Sequence, residues 1–239
     1  MKVSVILTTH GEGKYLGQAI ASVLAQTFQD FELLIAFDGY SCSNDFLDER
    51  IRAFGFHDVT AVNRYAHTIN QAFKETKGDY ITYLCHDDLY LPWRLEAMAR
   101  TLDANPDVHV VYGQQQMMEE RGGVTFLTGV RDTVGVTKDA PFHVDHSSVM
   151  HRRECFEKVG GWDENAPMRS GDAFFWARLH KAGYAFYPIE APLDCHRYND
   201  QSVSYLIDHE VPMYPPYDDL GNKRTIKNAV DCDYSAIDK

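Results

Sequence analysis

Two hydrophobic periods alternate along the first half of the chain. Residues 2–8 hold Val3, Val5, Ile6 and Leu7 in a compact apolar run, the pattern of a strand buried on both faces. Leu16, Ile20, Val23, Leu24 and Phe28 then recur at helical spacing and predict an amphipathic helix. A second apolar run at 31–37 predicts another strand, ending at Asp38-Gly39. A short helix is expected over 44–54, a third strand over 59–62, a helix over 66–76 and a strand over 79–84. Pro92 suits the first turn of a helix that continues to Leu102, and a strand follows at 108–112. Strand and helix alternating at this spacing predict βαβ units, hence an α/β fold with a mostly parallel central sheet flanked by helices.

The pattern loosens from 113 to 144, where Gly122, Gly123, Gly129 and Gly135 punctuate short β-rich pieces. Beyond it a strand is expected at 146–150, a short helix at 154–159, a turn at 160–163, a helix at 171–182 and a strand at 184–187. From 206 the chain is polar, acidic and rich in Pro and Tyr, with 224–230 its best candidate element. No apolar run reaches transmembrane length, and the run after Lys2 is too short for a signal peptide.

Charge narrows the function classes. A net charge of −12 argues against a nucleic-acid binder and means that a phosphate-bearing ligand needs a metal ion or focused arginines. The five cysteines, Cys42, Cys85, Cys155, Cys195 and Cys232, are scattered and form no C-x-x-C, so neither a disulfide framework nor a zinc site is suggested. That usage implies a reducing, cytoplasmic setting.

Gly11-Glu12-Gly13-Lys14 after the first strand invites a phosphate loop, but Thr8 stands at the required first glycine and Tyr15 at the required Ser/Thr. The dinucleotide fingerprint fails because Leu16 occupies its third glycine position, although Asp38 at the second strand end is a partial match. His143, His146 and His151 lie in a segment read partly as strand, where they do not converge as a helical zinc motif does. What remains is a set of strand ends. Asp38 and the pair Asp87-Asp88 each follow a strand of a parallel sheet and face one crevice, with Thr8, His10 and Arg64 on the same edge. The grouping suits a nucleotide: Asp38 accepts from a base N–H, Arg64 binds phosphate or base, and the Asp pair binds ribose and metal. Asp172 opens the 171–182 helix, where the dipole keeps a carboxylate ionised, as a general base requires.

The chain resembles family 2 glycosyltransferases of the GT-A fold, and among them the spore-coat polysaccharide type. The matching pieces include Val3–Thr9, Ser22–Phe28, Ile69–Ala72, Gly78–Tyr83, Asp87-Asp88 with Pro92 and Arg94-Leu95, Asp145–Arg152, Gly171–Trp176 and Asp200–Val203. They occur in one order over residues 2–205. The resemblance implies a Rossmann-like nucleotide-binding fold in a domain spanning 1–205, with 1–112 the nucleotide-sugar half and 113–205 the acceptor-side half. The tail at 206–239 has no assigned role, and packing on the domain, covering the acceptor site and homodimer formation all stay open for it.

By the same resemblance, Thr8, His10, Asp38 and Arg64 grip the nucleotide through a uracil or thymine base. Asp87 lies near the ribose, Asp88 ligates Mg²⁺ or Mn²⁺, Asp172 is the catalytic base, and 119–140 corresponds to the acceptor-side loop. The implied activity is inverting, metal-dependent transfer of a sugar from a UDP- or dTDP-linked donor to a carbohydrate or glycoconjugate acceptor. Three positions depart from the family pattern. Cys85 stands where many members carry the first Asp of the metal motif, His10 replaces an aromatic residue, and Asn199 stands near a usual His for which His196 is the substitute. Rival readings are a sugar-1-phosphate nucleotidyltransferase and a nucleotide-binding scaffold without catalysis.

Overall fold

A computed structural model describes residues 1–10, 13–39, 46–56, 61–121, 123–131, 144–166 and 171–198. Strand β1 (Val3–Thr9) pairs in parallel with β2 (Phe31–Asp38) and with β4 (Tyr80–Cys85), and β2 pairs in parallel with β3 (Ile51–Phe56). Helices α1 (Leu16–Leu24) and α2 (Arg64–Glu75) follow β1 and β3. Successive side chains of a strand point to opposite faces. Val3, Val5 and Leu7 therefore join a core with Ala19, Val23, Leu95 and Met98, while Ile6 joins another with Ile69, Ile81, Phe175 and Trp176.

The second half makes the sheet mixed. After β5 (Leu89–Tyr90) and α3 (Arg94–Ala104), a long β6 (Val110–Arg121) folds back into β7 (Val124–Arg131). Strand β8 (Val149–Arg152) is antiparallel to both β4 and β6, and helices α4 (Arg153–Val159) and α5 (Gly171–Lys181) follow it. Strand β9 (Phe186–Tyr198) runs parallel to β6. The sheet order is β3-β2-β1-β4-β8-β6-β9-β5, with β7 beside β6.

Four expectations need correction. The helix expected over 44–54 gives way to a strand at its end: 51–56 alternates sides, burying Ala53, while Arg52 reaches the buried carboxylate of Glu32 at 2.7 Å. The third strand is thus this one, and the described part of 59–62 is irregular. The 146–150 segment begins as a 3₁₀ turn (His146–Ser148), because the Asp145 side chain accepts from Ser147 N at 2.9 Å and caps it, so the strand starts at Val149. Strands β6 and β9 extend far beyond the apolar runs at 110–112 and 186–187. Their ladder continues by backbone pairing through Gln114–Gln116 and past Pro188 and Pro192, with register shifts near Gly113 and Gln114.

Helix α2 starts at Asn63, whose Oδ1 accepts from Ala66 N at 3.0 Å while its own N–H donates to Glu164 O at 2.8 Å. This cap holds the first residue of the helix, Arg64, at the sheet edge. Asn63→Ala is expected to cost about 1 kcal/mol of unfolding free energy, read by urea denaturation, because it removes the acceptor of the Ala66 N–H at a buried helix start. An unchanged midpoint would mean that the cap contributes nothing.

Candidate active site

Thr8, His10, Asp38, Arg64, Asp87, Asp88 and Asp172 all sit at the carboxyl edge of the parallel strands or at helix starts above it. Asp38 is the last residue of β2, and its Oδ1 accepts from Arg64 Nε at 3.0 Å and Nη2 at 2.7 Å, while His10 Nδ1 stands 3.6 Å from Oδ2. Burial pushes the Asp38 carboxyl up, but the His10 contact and the Arg64 charge outweigh it and hold the group below its ordinary range. Gly39 follows at φ +83, where a Cβ would stand 2.5 Å from Arg64 Nη2, so this ion pair needs glycine beside it. Thr8 is buried in β1, paired in register with Ala36 and Cys85.

The two carboxylates after β4 differ in role, as opposite-facing neighbours should. Asp88 is buried, and it is aimed by three donors. Its Oδ1 accepts from Arg197 N at 2.9 Å, its Oδ2 from Ser147 Oγ at 3.1 Å, and His196 Nδ1 lies 3.3 Å from Oδ1. Burial works against charge on His196, yet Asp88 outweighs it and raises the imidazole to about 9. His196 Nε2 is buried with no hydrogen-bond partner among the described residues. Asp87 is less buried, and desolvation followed by the neighbouring Asp88 charge raises its carboxyl. Cys85 Sγ, an Asp87 oxygen and an Asp88 oxygen all lie within 4.8 Å of one another. Two crowded anionic oxygens and a sulfur form a donor set that fits a divalent cation, whose charge would relieve the repulsion that burdens Asp87.

Asp172 enters from the opposite side. Trp162 stacks on Phe175 of α5 (centroids 5.6 Å apart), and a Cβ on Gly171 would stand 3.0 Å from Asn63 Nδ2, so the starts of α5 and α2 pack together. Asp172 Oδ1 accepts from Ala173 N at 2.8 Å, and its Oδ2 lies 3.6 Å from His146 Nδ1. The other ring nitrogen of His146 bonds the Tyr65 hydroxyl and stands 3.3 Å from Cys85 Sγ. One imidazole therefore spans from the sulfur of the Cys85-Asp87-Asp88 group to the Asp172 carboxylate. Burial opposes charge on His146, but the Cys85 sulfur, Asp172 and Asp145 raise it well above its ordinary value. Asp145 in turn is pushed up by burial and pulled down more strongly by His146 and His196, to about 2.

Beneath these groups lies a buried support. Arg94, the first residue of α3, donates to Thr82 Oγ1 at 2.9 Å and to the Ser147 carbonyl at 2.6 Å, stacks over Tyr90, and stands 3.7 Å from Asp194. Burial raises the Asp194 carboxyl to about 7 even with Arg94 beside it. Arg197 links the halves, donating from Nε to the Asp87 carbonyl and from Nη2 to Gln18 Oε1, both at 2.9 Å.

The Glycosyl transferase family 2 profile matches residues 4–174, most of the chain. The chain belongs to this family. It is 36% identical over 210 residues to Protein CgeD of Bacillus subtilis, an alignment covering 81% of this chain and 49% of that protein. The family 2 chain thus spans about half the length of this relative. In fold it is similar to S. aureus TarS 1-349 in complex with UDP-GlcNAc, with a TM-score of 0.64 at 15% identity, covering 83% of this chain and 59% of that one. It is also similar to the mannosyltransferase PcManGT from Pyrobaculum calidifontis in complex with GDP-Man and Mn²⁺, with a TM-score of 0.63 at 16% identity, covering 87% and 60%. These likenesses support the GT-A, Rossmann-like α/β reading of this family 2 chain.

Asp145, Ser147 and Arg197 are site residues that the periodicity did not single out. His146 was set aside as a zinc ligand and stands instead beside Asp172, whereas His151 is buried against the Tyr83 hydroxyl at 2.7 Å. His196, named as a substitute for Asn199, is at Asp88; Asn199, the 132–140 part of the acceptor-side loop and the tail lie outside the described residues. Among the described residues, no helix is long and apolar enough to cross a membrane.

Proposed function

We propose that this family 2 protein transfers a sugar, with inversion, from a UDP- or dTDP-linked donor to a hydroxyl of a carbohydrate or glycoconjugate. Residues 1–112 hold the donor and 113–205 contribute the acceptor side. Asp38 and Arg64 hold the base, with Thr8 and His10 on the same wall, and Asp87 faces the ribose. Asp88 is the chief ligand of Mn²⁺ or Mg²⁺, with Asp87 in reach of the same ion. When bound, the cation supplies Lewis-acid neutralisation of the diphosphate leaving group. Asp172 takes the proton of the acceptor hydroxyl as its oxygen attacks the anomeric carbon from the face opposite the diphosphate.

One observation carries the reading: a single imidazole, His146, separates the Asp172 carboxylate (3.6 Å) from Cys85 of the metal-binding group (3.3 Å). Base and leaving-group machinery are therefore close enough to act on one sugar. Arg197, tied to both Asp residues and to Gln18, keeps the metal side fixed relative to α1. The complexes of TarS with UDP-GlcNAc and of PcManGT with GDP-Man and Mn²⁺ support a nucleotide-sugar donor for this chain, but their bases differ. Calorimetric titration with UDP, dTDP and GDP, each with and without Mn²⁺, tests the assignment. The expected result is Mn²⁺-dependent binding of UDP or dTDP and none of GDP. Binding of GDP alone would overturn the base assignment, and no binding of any nucleotide would overturn transfer.

A further inference from the structure

We propose that Cys85 is itself a metal ligand, and that its thiolate makes the site select thiophilic divalent cations such as Co²⁺, Zn²⁺ and Cd²⁺ over Mg²⁺. The inference rests on the reading above that Asp87 and Asp88 hold a cation.

Cys85 is the last residue of β4 and lies in register with Thr8, so its side chain emerges at the strand end. It is half-buried, and its sulfur shares a sphere of 4.8 Å with the oxygens of both carboxylates. Cys155 and Cys195 are buried, and neither belongs to this group. The donor chemistry then sets the preference. Mg²⁺ demands near-octahedral oxygen ligation and sheds its waters reluctantly. Sulfur in place of a carboxylate oxygen removes one hard anionic donor and adds a soft one, which strengthens binding to borderline and soft ions.

The groups around the sulfur are also fixed in place. Coordination releases the thiol proton to solvent, and His146 Nε2 stands 3.3 Å from Sγ, within reach of the coordinated sulfur. The other ring nitrogen, Nδ1, faces Asp145 and Asp172 at 3.6 Å each, so the imidazole is held in place beside the sulfur. On the other side Asp88 is aimed by Ser147 and the Arg197 N–H, outer partners of the kind that orient metal-bound carboxylates. The thiolate therefore enters a site whose remaining ligands are already placed.

The test is optical and needs no turnover. The metal-free full chain, Cys85→Ser and Cys85→Asp are titrated with Co²⁺ and Cd²⁺, recording sulfur-to-metal charge-transfer absorption, and with Mg²⁺ and Mn²⁺ by calorimetry. The wild type is expected to develop the charge-transfer band at one equivalent. Cys85→Ser should lose the band and bind Cd²⁺ at least about 10–100-fold more weakly, since loss of a group that merely supports a ligand already costs that much. Cys85→Asp should also lose the band while binding Mg²⁺ more tightly than the wild type. A wild type that binds Co²⁺ without the band, or a band that survives in both variants, overturns the role of Cys85 and leaves the Asp assignments standing. No divalent cation bound by the wild type or by Cys85→Asp, with both folded by circular dichroism, overturns the metal reading itself.

Discussion

Asp172→Asn is expected to lower sugar transfer by about 10²–10⁴-fold, the usual contribution of a positioned general base. That range corresponds to roughly 3–5 kcal/mol of activation free energy. The amide keeps the shape and can still accept from Ala173 N through its oxygen, so α5 should hold its start. It cannot take a proton from the acceptor. UDP binding in the presence of Mn²⁺ should stay within about twofold of wild type, because the proposed nucleotide contacts lie on β1, β2, α2 and the turn after β4. Transfer and calorimetric binding measured on the same preparation separate the outcomes. Full activity in the variant would remove Asp172 as the base, and loss of nucleotide binding would make its role structural.

Arg94→Met is expected to destabilise the fold by about 3–5 kcal/mol, the cost of leaving a buried charge without its partner. The arginine is fully buried, and its loss takes a donor from the Ser147 carbonyl and the Thr82 hydroxyl and the counter-charge from Asp194. Among the described residues, the Asp194 carboxylate then keeps only its bond from Gln115 at 2.9 Å. Asp194, already raised to about 7, can take up a proton and so limit the penalty. The double variant Arg94→Met/Asp194→Asn should therefore recover part of the loss, giving a favourable coupling in a double-mutant cycle followed by urea denaturation. Strict additivity would show that the two groups do not support one another across their 3.7 Å.

The strands β1, β2 and β4 were legible because each is a compact apolar run that ends at polar residues, and the sheet buries them on both faces. The positions of Asp38, Asp87, Asp88 and Asp172 were legible for the same reason: Asp38 ends such a strand, Asp87 and Asp88 follow one, and Asp172 lies at the start of a helix. Strand β3 was not, because edge residues such as Arg52 and Gly55 dilute its apolar signal and Glu32 supplies its anchor from another strand. The continuation of β6 and β9 rests on backbone pairing between Gln and Pro-containing segments, which side-chain hydrophobicity does not register. Asp145, Ser147 and Arg197, and the place of His146 beside Asp172, escaped for a further reason. They reach the site from segments late in the chain, and only the pairing of β8 and β9 with partners far away in sequence puts them beside Asp88 and Asp172.

The placement of β8 also limits how such a chain can be recombined. A strand contributed by residues 149–152 lies between β4 and β6, so the sheet is continuous only because a late segment fills a slot between two earlier ones. Exchanging everything after residue 112 for the equivalent part of a relative would bring a foreign strand into that slot. It would have to match Tyr80–Thr82 on one side and Val110–Tyr112 on the other in both registers. The proposed donor and acceptor halves are thus not freely interchangeable cassettes: a chimera gains a new second half only if it also gains a seam that fits the old sheet.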